Sequence, residues 1–199
     1  MKEEISAKEL FKHFLKTVVE TWMPYTFFRD RANQYNPNKH EWKIFSSQLC
    51  TEIIQNTKEP KFKEEKMDNW NVAIKYEPWE LVVCNLASLN LAKVNFITLD
   101  ENKIEEIHNT AMRILDNVIT LNYYPVLEAK LTAMKYRAVW LWYMWLAEYL
   151  ATIAKIRYDS EESAMHVDKI FEKFAYYTYK ASVNLSKERW KYDLFDWSD

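Results

Sequence analysis

The sequence lacks glycine altogether, although it is 199 residues long. Average usage of about 7% would supply roughly 14 glycines. Without glycine the chain cannot form a Walker-type phosphate loop or a dinucleotide-binding fingerprint, because both need it where the backbone approaches phosphate. The chain also lacks the residue that most easily adopts a positive φ in turns and at helix ends.

Other shortages exclude further classes of protein. Two cysteines, 34 positions apart, cannot build a disulfide framework and favour the reducing cytoplasm. A net charge of −2 and a pI near 6.1 provide no basic surface for nucleic acid. The apolar run 138–147 is shorter than the ~20 residues of a membrane span, and no signal peptide is evident. We therefore expect a cytoplasmic protein with neither a nucleic acid nor a membrane as partner.

Tryptophan, by contrast, is abundant, with nine in the chain. Several of them stand in turns or at helix ends, where glycine is the usual residue. Trp70 and Trp79 lie in turn-like segments, and Trp22 and Trp190 follow helical patterns. These positions favour a positive φ, which a bulky aromatic residue reaches only at a steric cost. Three more crowd one short apolar run, namely Trp140, Trp142 and Trp145.

Hydrophobic periodicity predicts a helix-rich α/β chain. Apolar stripes and capping residues indicate helices at 7–21, 24–34, from Asp100 onward, 125–136, 146–156 and 161–187. Apolar and β-branched segments indicate strands near 44–54, 80–84 and 138–144, whereas 33–43 and 56–66 are predicted as polar loops. These strands are too few to close a large sheet, so the chain is predicted to be part of a domain.

The heptapeptide 46–52, with the sequence S-S-Q-L-C-T-E, holds the residues best suited to chemistry. In an extended strand Gln48, Cys50 and Glu52 would project from one face. A thiol can act as a nucleophile or hydrogen-atom carrier, a carboxylate as a base, and an amide can orient a hydroxyl. On its own the pattern is weak, because a lone cysteine in an apolar strand is more often a small buried residue.

Segment 46–54 resembles the active-site strand of the ribonucleotide reductase large subunit, whose usual form is S-N-L-C-T-E-I. The similarity continues through 21–25 and 83–91. Residues 136–147 resemble the family's R-A-V-G-L-G-x-M-G-L-A, and 185–190 resemble L-A-K-E-R-G. The segments follow the family's order and spacing over essentially all 199 residues. The resemblance implies a central fragment of the catalytic subunit, incomplete at both ends.

The resemblance also implies roles for individual residues. Cys50 matches the cysteine that becomes a thiyl radical and abstracts the 3′ hydrogen of the substrate ribose. Glu52 matches the carboxylate that takes the 3′-hydroxyl proton, and Cys84 matches one of the two thiols that supply reducing equivalents. Gln48 and Ser47 match substrate-binding positions. Gln48 replaces the family's asparagine, which keeps the amide but adds a methylene.

As a fold, the resemblance implies an α/β, helix-rich part of the reductase barrel over 1–199. The implied activity is reduction of ribonucleotides to 2′-deoxyribonucleotides by thiyl-radical chemistry, for DNA replication. The implied partners are a ribonucleoside di- or triphosphate, the rest of the large subunit, a radical-generating small subunit and a thioredoxin-type reductant. No cofactor or metal is expected on this chain, since the family's radical source is external, either a metal-containing small subunit or adenosylcobalamin.

The chain alone is expected to be inactive, because the family's redox partner of Cys84 and its phosphate-binding segment have no match in it. The alternative is a catalytically inactive assembly module of a split reductase. Family glycines correspond to Trp22, Trp42, Trp140, Trp142, Trp145, Trp190 and Trp197.

Because tryptophan alone replaces glycine at all these positions, we expect either a codon read as tryptophan that the source organism reads as glycine, or deliberate substitution. Natural packing of aromatic side chains is the less favoured explanation. If glycine is the original residue, Trp140, Trp142 and Trp145 would overpack their surroundings, at about 1–3 kcal/mol each. We therefore expect the chain as written to be poorly stable.

Overall fold

The computed structural model describes residues 4–66 and 72–198. This part of the chain contains helices α1 (Ala7–Thr21), α2 (Arg29–Gln34), α3 (Glu101–Leu121), α4 (Leu127–Tyr136), α5 (Leu146–Glu148) and α6 (Glu161–Arg189). A π-helical turn, Tyr149–Ala154, continues α5, and a 3₁₀ turn lies at Phe195–Trp197. The strands are β1 (Lys61–Lys66), β2 (Val72–Glu77), β3 (Leu86–Asn90) and β4 (Trp140–Met144).

The strands form two separate two-stranded sheets. Strands β1 and β2 are antiparallel, with Lys61 opposite Glu77. Strands β3 and β4 are parallel, with Leu86 opposite Trp140. Parallel strands need a crossover connection, and the chain that carries α3 and α4 provides it. The parallel pair β3–β4, with helices α3 and α4 in the connection between its strands, is therefore an α/β unit.

The hydrophobic core lies where β4, α3 and α6 meet. Leu141 and Tyr143 of β4 are buried, whereas Trp142 between them is 41% exposed. Helix α3 contributes a stripe at helical spacing, consisting of Ile104, His108, Met112, Leu115 and Ile119. Helix α6 contributes Ile170, Phe174, Tyr177 and Ala181. Burial of these apolar side chains stabilises the second half of the chain.

Capping residues start the two long helices where the sequence predicts. The Asp100 carboxylate accepts hydrogen bonds from the backbone N–H groups of Asn102 and Lys103 at the start of α3. The Ser160 hydroxyl accepts one from the N–H of Ser163 at the start of α6. Each cap satisfies backbone donors that the first helical turn leaves unpaired. Both predicted starts are confirmed.

Several predictions for the first half are wrong. The segment 44–54 forms no strand, and the predicted loop 56–66 contains β1. The strand predicted at 80–84 lies further along, at β3. The helix predicted from residue 24 begins only at Arg29. By contrast, the predictions at 7–21, 125–136 and 138–144 are confirmed within a few residues as α1, α4 and β4.

Helix α1 forms as predicted but buries none of its residues. Its apolar stripe stays in solvent, with Leu10 and Phe11 more than half exposed. Helix α1 therefore leaves an apolar face exposed. Over residues 4–66 and 72–198, no helix combines the length and apolarity needed to cross a membrane.

The tryptophans fall into two groups by backbone conformation. Trp22, Trp145 and Trp190 have φ values of 61°, 66° and 72°, in the region that favours glycine. Trp79 does not share this conformation, so the turn predicted there is wrong, and Trp70 lies outside the described residues. At β4 the Trp142 ring stacks on Trp140 at 5.4 Å between centroids and is 41% exposed, and the loss of stability expected there stays a prediction.

His108 is a titratable group inside the core. Its side chain is fully buried, with Nδ1 2.8 Å from the carbonyl oxygen of Ile104. The rings of Phe96 and Phe174 pack on it, each at 5.6 Å between centroids. Burial lowers the pKa of His108, and the hydrogen bond to Ile104 only partly opposes that effect. The unfolded chain therefore takes up this proton at a higher pH than the folded chain does.

We expect acid to destabilise the fold through His108. Its pKa in the unfolded chain is near ~6.5, so stability should fall as the pH drops below about that value. His108→Phe should flatten this dependence, measured as urea unfolding midpoints at about pH 8 and about pH 5. His13→Phe, on the exposed face of α1, is the matched control. An unchanged pH dependence in His108→Phe would contradict the prediction.

Candidate active site

Cys50 lies in a tight loop rather than in a strand. The N–H of Gln48 donates to the carbonyl of Ile53 at 3.3 Å, and the N–H of Thr51 donates to the carbonyl of Gln48 at 3.1 Å. The amide oxygen of Gln48 accepts from the N–H of Ile53 at 2.9 Å. Thr51 reverses the chain with a φ of 70°. We call residues 48–53 the cysteine loop.

The loop corrects the geometry predicted from the sequence. Gln48, Cys50 and Glu52 do not alternate along one strand face, because the chain turns between them. They still share one short loop, so the three functional groups remain close in sequence and in the fold. A non-glycine residue at positive φ, here Thr51, is a form of backbone strain that is concentrated at functional sites.

Three polar atoms of the loop are buried without a partner among the described residues: Nε2 of Gln48, Oγ1 of Thr51 and Oε2 of Glu52. An unpaired buried donor or acceptor costs about 1–3 kcal/mol, so such atoms call for an explanation. The Gln48 amide nitrogen can donate a hydrogen bond, the Glu52 carboxylate oxygen can accept one, and the Thr51 hydroxyl can do either. Ser47 is different, since its hydroxyl donates to the carbonyl of Gln48 at 3.0 Å.

Cys84 lies just before β3 and interacts electrostatically with the cysteine loop. Burial raises the pKa of the Cys84 thiol, and the negative charges of Glu52 and Cys50 raise it further. Both cysteines are exposed and unpaired. Cys84 is therefore close enough to Cys50 and Glu52 for their charges to act on its thiol.

A small cavity adjoins Cys84 but not Cys50. Cys84 lines a cavity of about 40 Å³ together with Tyr124 and Tyr136, and Cys50 does not line it. A groove of about 750 Å³ lies near the end of α6 and contains neither cysteine. The described residues also bring no cluster of three His, Cys, Asp or Glu side chains together as metal ligands.

Two asparagines, Asn36 and Asn56, join the chain segments on either side of the cysteine loop, which we call its stem. The buried side chain of Asn36 donates to the amide oxygen of Asn56 at 2.9 Å. Asn56 in turn donates to the carbonyl of Asn38 at 2.7 Å. These bonds join the chain before the loop to the chain after it. Charge strengthens the same stem, because the Glu41 carboxylate pairs with the Lys58 ammonium.

Helix α4 holds the segments that carry both cysteines. The ammonium of Lys135 lies 2.8 Å from the carboxylate of Glu41 and 2.8 Å from that of Glu80. The hydroxyl of Tyr136 donates to Glu80 at 3.0 Å. Although burial alone would raise it, hydrogen bonds from Lys135 and Lys58 lower the pKa of Glu41 to about 2. Lys135 therefore bridges two carboxylates from different chain segments.

Sequence reasoning missed this ionic network. Lys135 and Glu41 are 94 positions apart, so no local spacing links them. Lys135 also sits in an ordinary amphipathic helix, where lysine is common on the solvent face. The one available signal was the polar stretch 33–43, which we predicted only as a loop.

Comparison with known proteins identifies the fold. A sequence model of the family described as ribonucleotide reductase, barrel domain, matches residues 1–199. The chain belongs to this reductase barrel family. The parallel β3–β4 pair with its helical crossover is therefore part of the reductase barrel, and the predicted α/β, helix-rich fold class is confirmed.

Relatives agree with this assignment. The chain is 39% identical over 202 residues to the ribonucleoside-diphosphate reductase subunit alpha of Treponema pallidum, covering all of this chain and 24% of that protein. It is 34% identical over 237 residues to the subunit alpha of Helicobacter pylori strain J99, covering all of the chain and 29% of that protein. A Caenorhabditis elegans large subunit is 28% identical over 202 residues, covering all of this chain and 23% of that protein. The chain thus spans about a quarter of the length of these curated relatives.

The charge of Glu52 should control the reactivity of Cys84. Glu52→Gln removes a nearby negative charge, so the pKa of Cys84 should fall and its thiolate fraction should rise. Because burial is the larger cause, we expect only about a two- to five-fold faster alkylation of Cys84 at about pH 8. The rate is measured by iodoacetamide labelling and peptide mass spectrometry.

Glu106→Gln is the matched control, because Glu106 is an exposed carboxylate on α3. It should leave the alkylation of Cys84 unchanged. Equal alkylation rates in the parent and in Glu52→Gln would mean that Glu52 does not influence the Cys84 thiol. Cys84 would then not belong to the same site as the cysteine loop.

Proposed function

We propose that this chain provides the cysteine loop and a reducing thiol of a ribonucleotide reductase catalytic subunit. The relatives are named ribonucleoside-diphosphate reductases, which favours a ribonucleoside diphosphate as substrate. The product would be the 2′-deoxyribonucleotide, needed for DNA replication. Because the chain spans about a quarter of these relatives, the active assembly would include the rest of a large subunit.

In this proposal Cys50 carries the thiyl radical and takes the 3′ hydrogen atom of the ribose. Glu52 accepts the 3′-hydroxyl proton as the 2′-hydroxyl leaves as water. Replacement of that hydroxyl by hydrogen consumes two electrons, which Cys84 supplies together with a second thiol from the rest of the subunit. The hydrogen atom then returns to C3′, and the radical returns to Cys50.

The observation that carries the proposal is the set of unpartnered polar atoms beside Cys50, two of which belong to Gln48 and Glu52. Nε2 of Gln48 can donate to a ribose hydroxyl, and Oε2 of Glu52 can accept a proton from one. A bound ribose would satisfy both atoms, which otherwise remain buried and unpaired. Ser47 lies next to this pair and is proposed to contact the substrate as well.

The remaining partners follow from the same chemistry. A thioredoxin-type reductant would restore the oxidised thiols, in keeping with two unpaired cysteines and a cytoplasmic location. The radical would come from outside this chain. Either a metal-containing small subunit or adenosylcobalamin could supply it.

Reconstitution tests the function. The chain should be co-expressed with the flanking parts of the Treponema pallidum relative, and formation of dCDP from CDP should be measured with a radical source and a dithiol. We expect turnover that Cys50→Ser abolishes. Glu52→Gln should reduce the rate by about 10²–10⁴-fold, the usual contribution of a general base.

The matched control for this test is again Glu106→Gln, which should keep full activity. Stable association of the parts without turnover would contradict the enzymatic proposal. That outcome would instead favour the alternative, an assembly module without catalysis.

A further inference from the structure

We propose that Lys135 of α4 is a positioning residue that sets the placement of Cys50 relative to Cys84. The inference rests on the proposed function, because it assigns a purpose to the distance between two thiols. It concerns a helix that carries neither cysteine. Its support comes from the contacts of α4 with the two chain segments that do.

The first contact fixes the cysteine loop. Glu41 precedes the loop, Lys58 follows it, and the two side chains form an ion pair. Lys135 binds the same Glu41 carboxylate at 2.8 Å. Lys135 therefore joins the chain before the loop to α4 through a carboxylate that is only 19% exposed.

The second contact fixes the segment before Cys84. Lys135 also binds Glu80 at 2.8 Å, and Glu80 is only 9% exposed. The N–H of Leu81 donates to the hydroxyl of Thr132, one turn earlier on α4, at 2.9 Å. The N–H of Lys58 donates to Glu80 at 3.0 Å, which links the two segments directly.

Two of these contacts, those with Glu41 and Glu80, meet at the ammonium group of Lys135. Lys135 neutralises two carboxylates that would otherwise repel each other, and each belongs to a different cysteine-bearing segment. Removing its charge should let the two segments separate while the core of α3 and α6 stays intact. The predicted effect is therefore on the distance between the cysteines rather than on folding.

The chain offers a direct measurement, because Cys50 and Cys84 are its only cysteines. Spin labels on these native thiols report their separation by pulsed electron paramagnetic resonance. We expect a narrow distance distribution in the parent, a broader and longer one in Lys135→Met, and a restored narrow one in Lys135→Arg. Lys103→Met, which breaks an exposed ion pair with Glu106, should leave the distribution unchanged.

Circular dichroism and thermal unfolding show whether each variant is folded. A folded Lys135→Met with the parent's distance distribution would overturn the inference. In the reconstituted enzyme Lys135→Met should lower kcat by about 10²-fold with little change in KM, as expected for misplaced reacting groups. If the distances respond as expected but the parent assembly has no turnover, the proposed function fails and the positioning inference stands.

A separate observation supports a second inference: the structure assigns glycine as the natural residue at positions 22, 145 and 190. Among the described residues six non-glycine positions have positive φ, and half of them are tryptophan. Tryptophan supplies only nine of the 199 residues. A bulky residue at positive φ is a genuine outlier, so this concentration needs a cause.

The three positions are also places where chains use glycine. Trp22 ends α1 in the left-handed conformation, and its N–H donates to the carbonyl of Val18. Trp145 joins β4 to α5 with φ 66° and ψ 32°. Trp190 ends α6 with φ 72° and ψ 163°, a region that is essentially restricted to glycine.

The indoles do not compensate for this conformation by packing. Trp22 is 81% exposed and Trp190 is 88% exposed. Arg137, which also has a positive φ, differs in this respect, because its guanidinium donates to the carboxylate of Asp116 at 2.8 Å. At positions 22 and 190 the backbone has the glycine conformation, and the side chain adds little that holds it there.

Peptide mass spectrometry of the protein isolated from the cells that encode it tests the inference. Peptides that cover positions 22, 145 and 190 should have masses that correspond to glycine. The codons at these positions should differ from the ordinary tryptophan codon of the standard genetic code. Peptide masses that correspond to tryptophan would overturn the inference.

Stability provides an independent test on the chain itself. Trp190→Gly should melt above the parent, by about 2–4 °C for a chain of this size. Trp190→Ala is the matched control, because it removes the indole but keeps a Cβ that disfavours positive φ. An alanine variant as stable as the glycine variant would mean that backbone conformation does not select glycine.

Discussion

The parallel pairing of β3 with β4 is the constraint on which the rest of the described chain depends. It joins residues 86–90 to residues 140–144, so the chain between them must cross over the sheet. The crossover carries α3, whose apolar stripe packs with α6 and buries Leu141 and Tyr143 of β4. Everything chemical is arranged around this frame, because Cys84 immediately precedes β3 and α4 immediately precedes β4.

The frame also explains why the site depends on long-range charge. The cysteine loop belongs to the first part of the chain, where α1 has no buried residue and 44–54 forms no strand. Because this part of the chain buries little of its apolar surface, it is held by polar contacts at Glu41, Asn56 and Glu80. Such contacts are directional, which suits a segment whose function requires a fixed orientation. The position of this segment therefore depends on a few side chains of α4, chiefly Lys135 and Tyr136.

Sequence reasoning succeeded where local signals agree with the fold. Helices α3 and α6 carry both a cap and a periodic apolar stripe, and both signals survive because these helices form the core. At 44–54 the β-branched composition predicted a strand, yet the Gln48 side chain bonds the N–H of Ile53 and closes a loop instead. At 61–66 alternating charge predicted a loop. The same residues form β1, a strand whose Lys61 pairs with Glu77 across the hairpin.

The tryptophans show a further limit of sequence patterns. The number of tryptophans is unusual, but composition does not show which of them are in an unfavourable backbone conformation and which pack against other side chains. The backbone angles of the structure do distinguish them. Trp142 has a strand conformation and contacts the rings of Phe171 and Phe174 at 5.0 and 5.6 Å. Trp190 has a conformation suited to glycine and lies in solvent. The same residue type therefore adds ring contacts in β4 and costs backbone strain at the end of α6, so composition alone cannot rank these positions by their effect on stability.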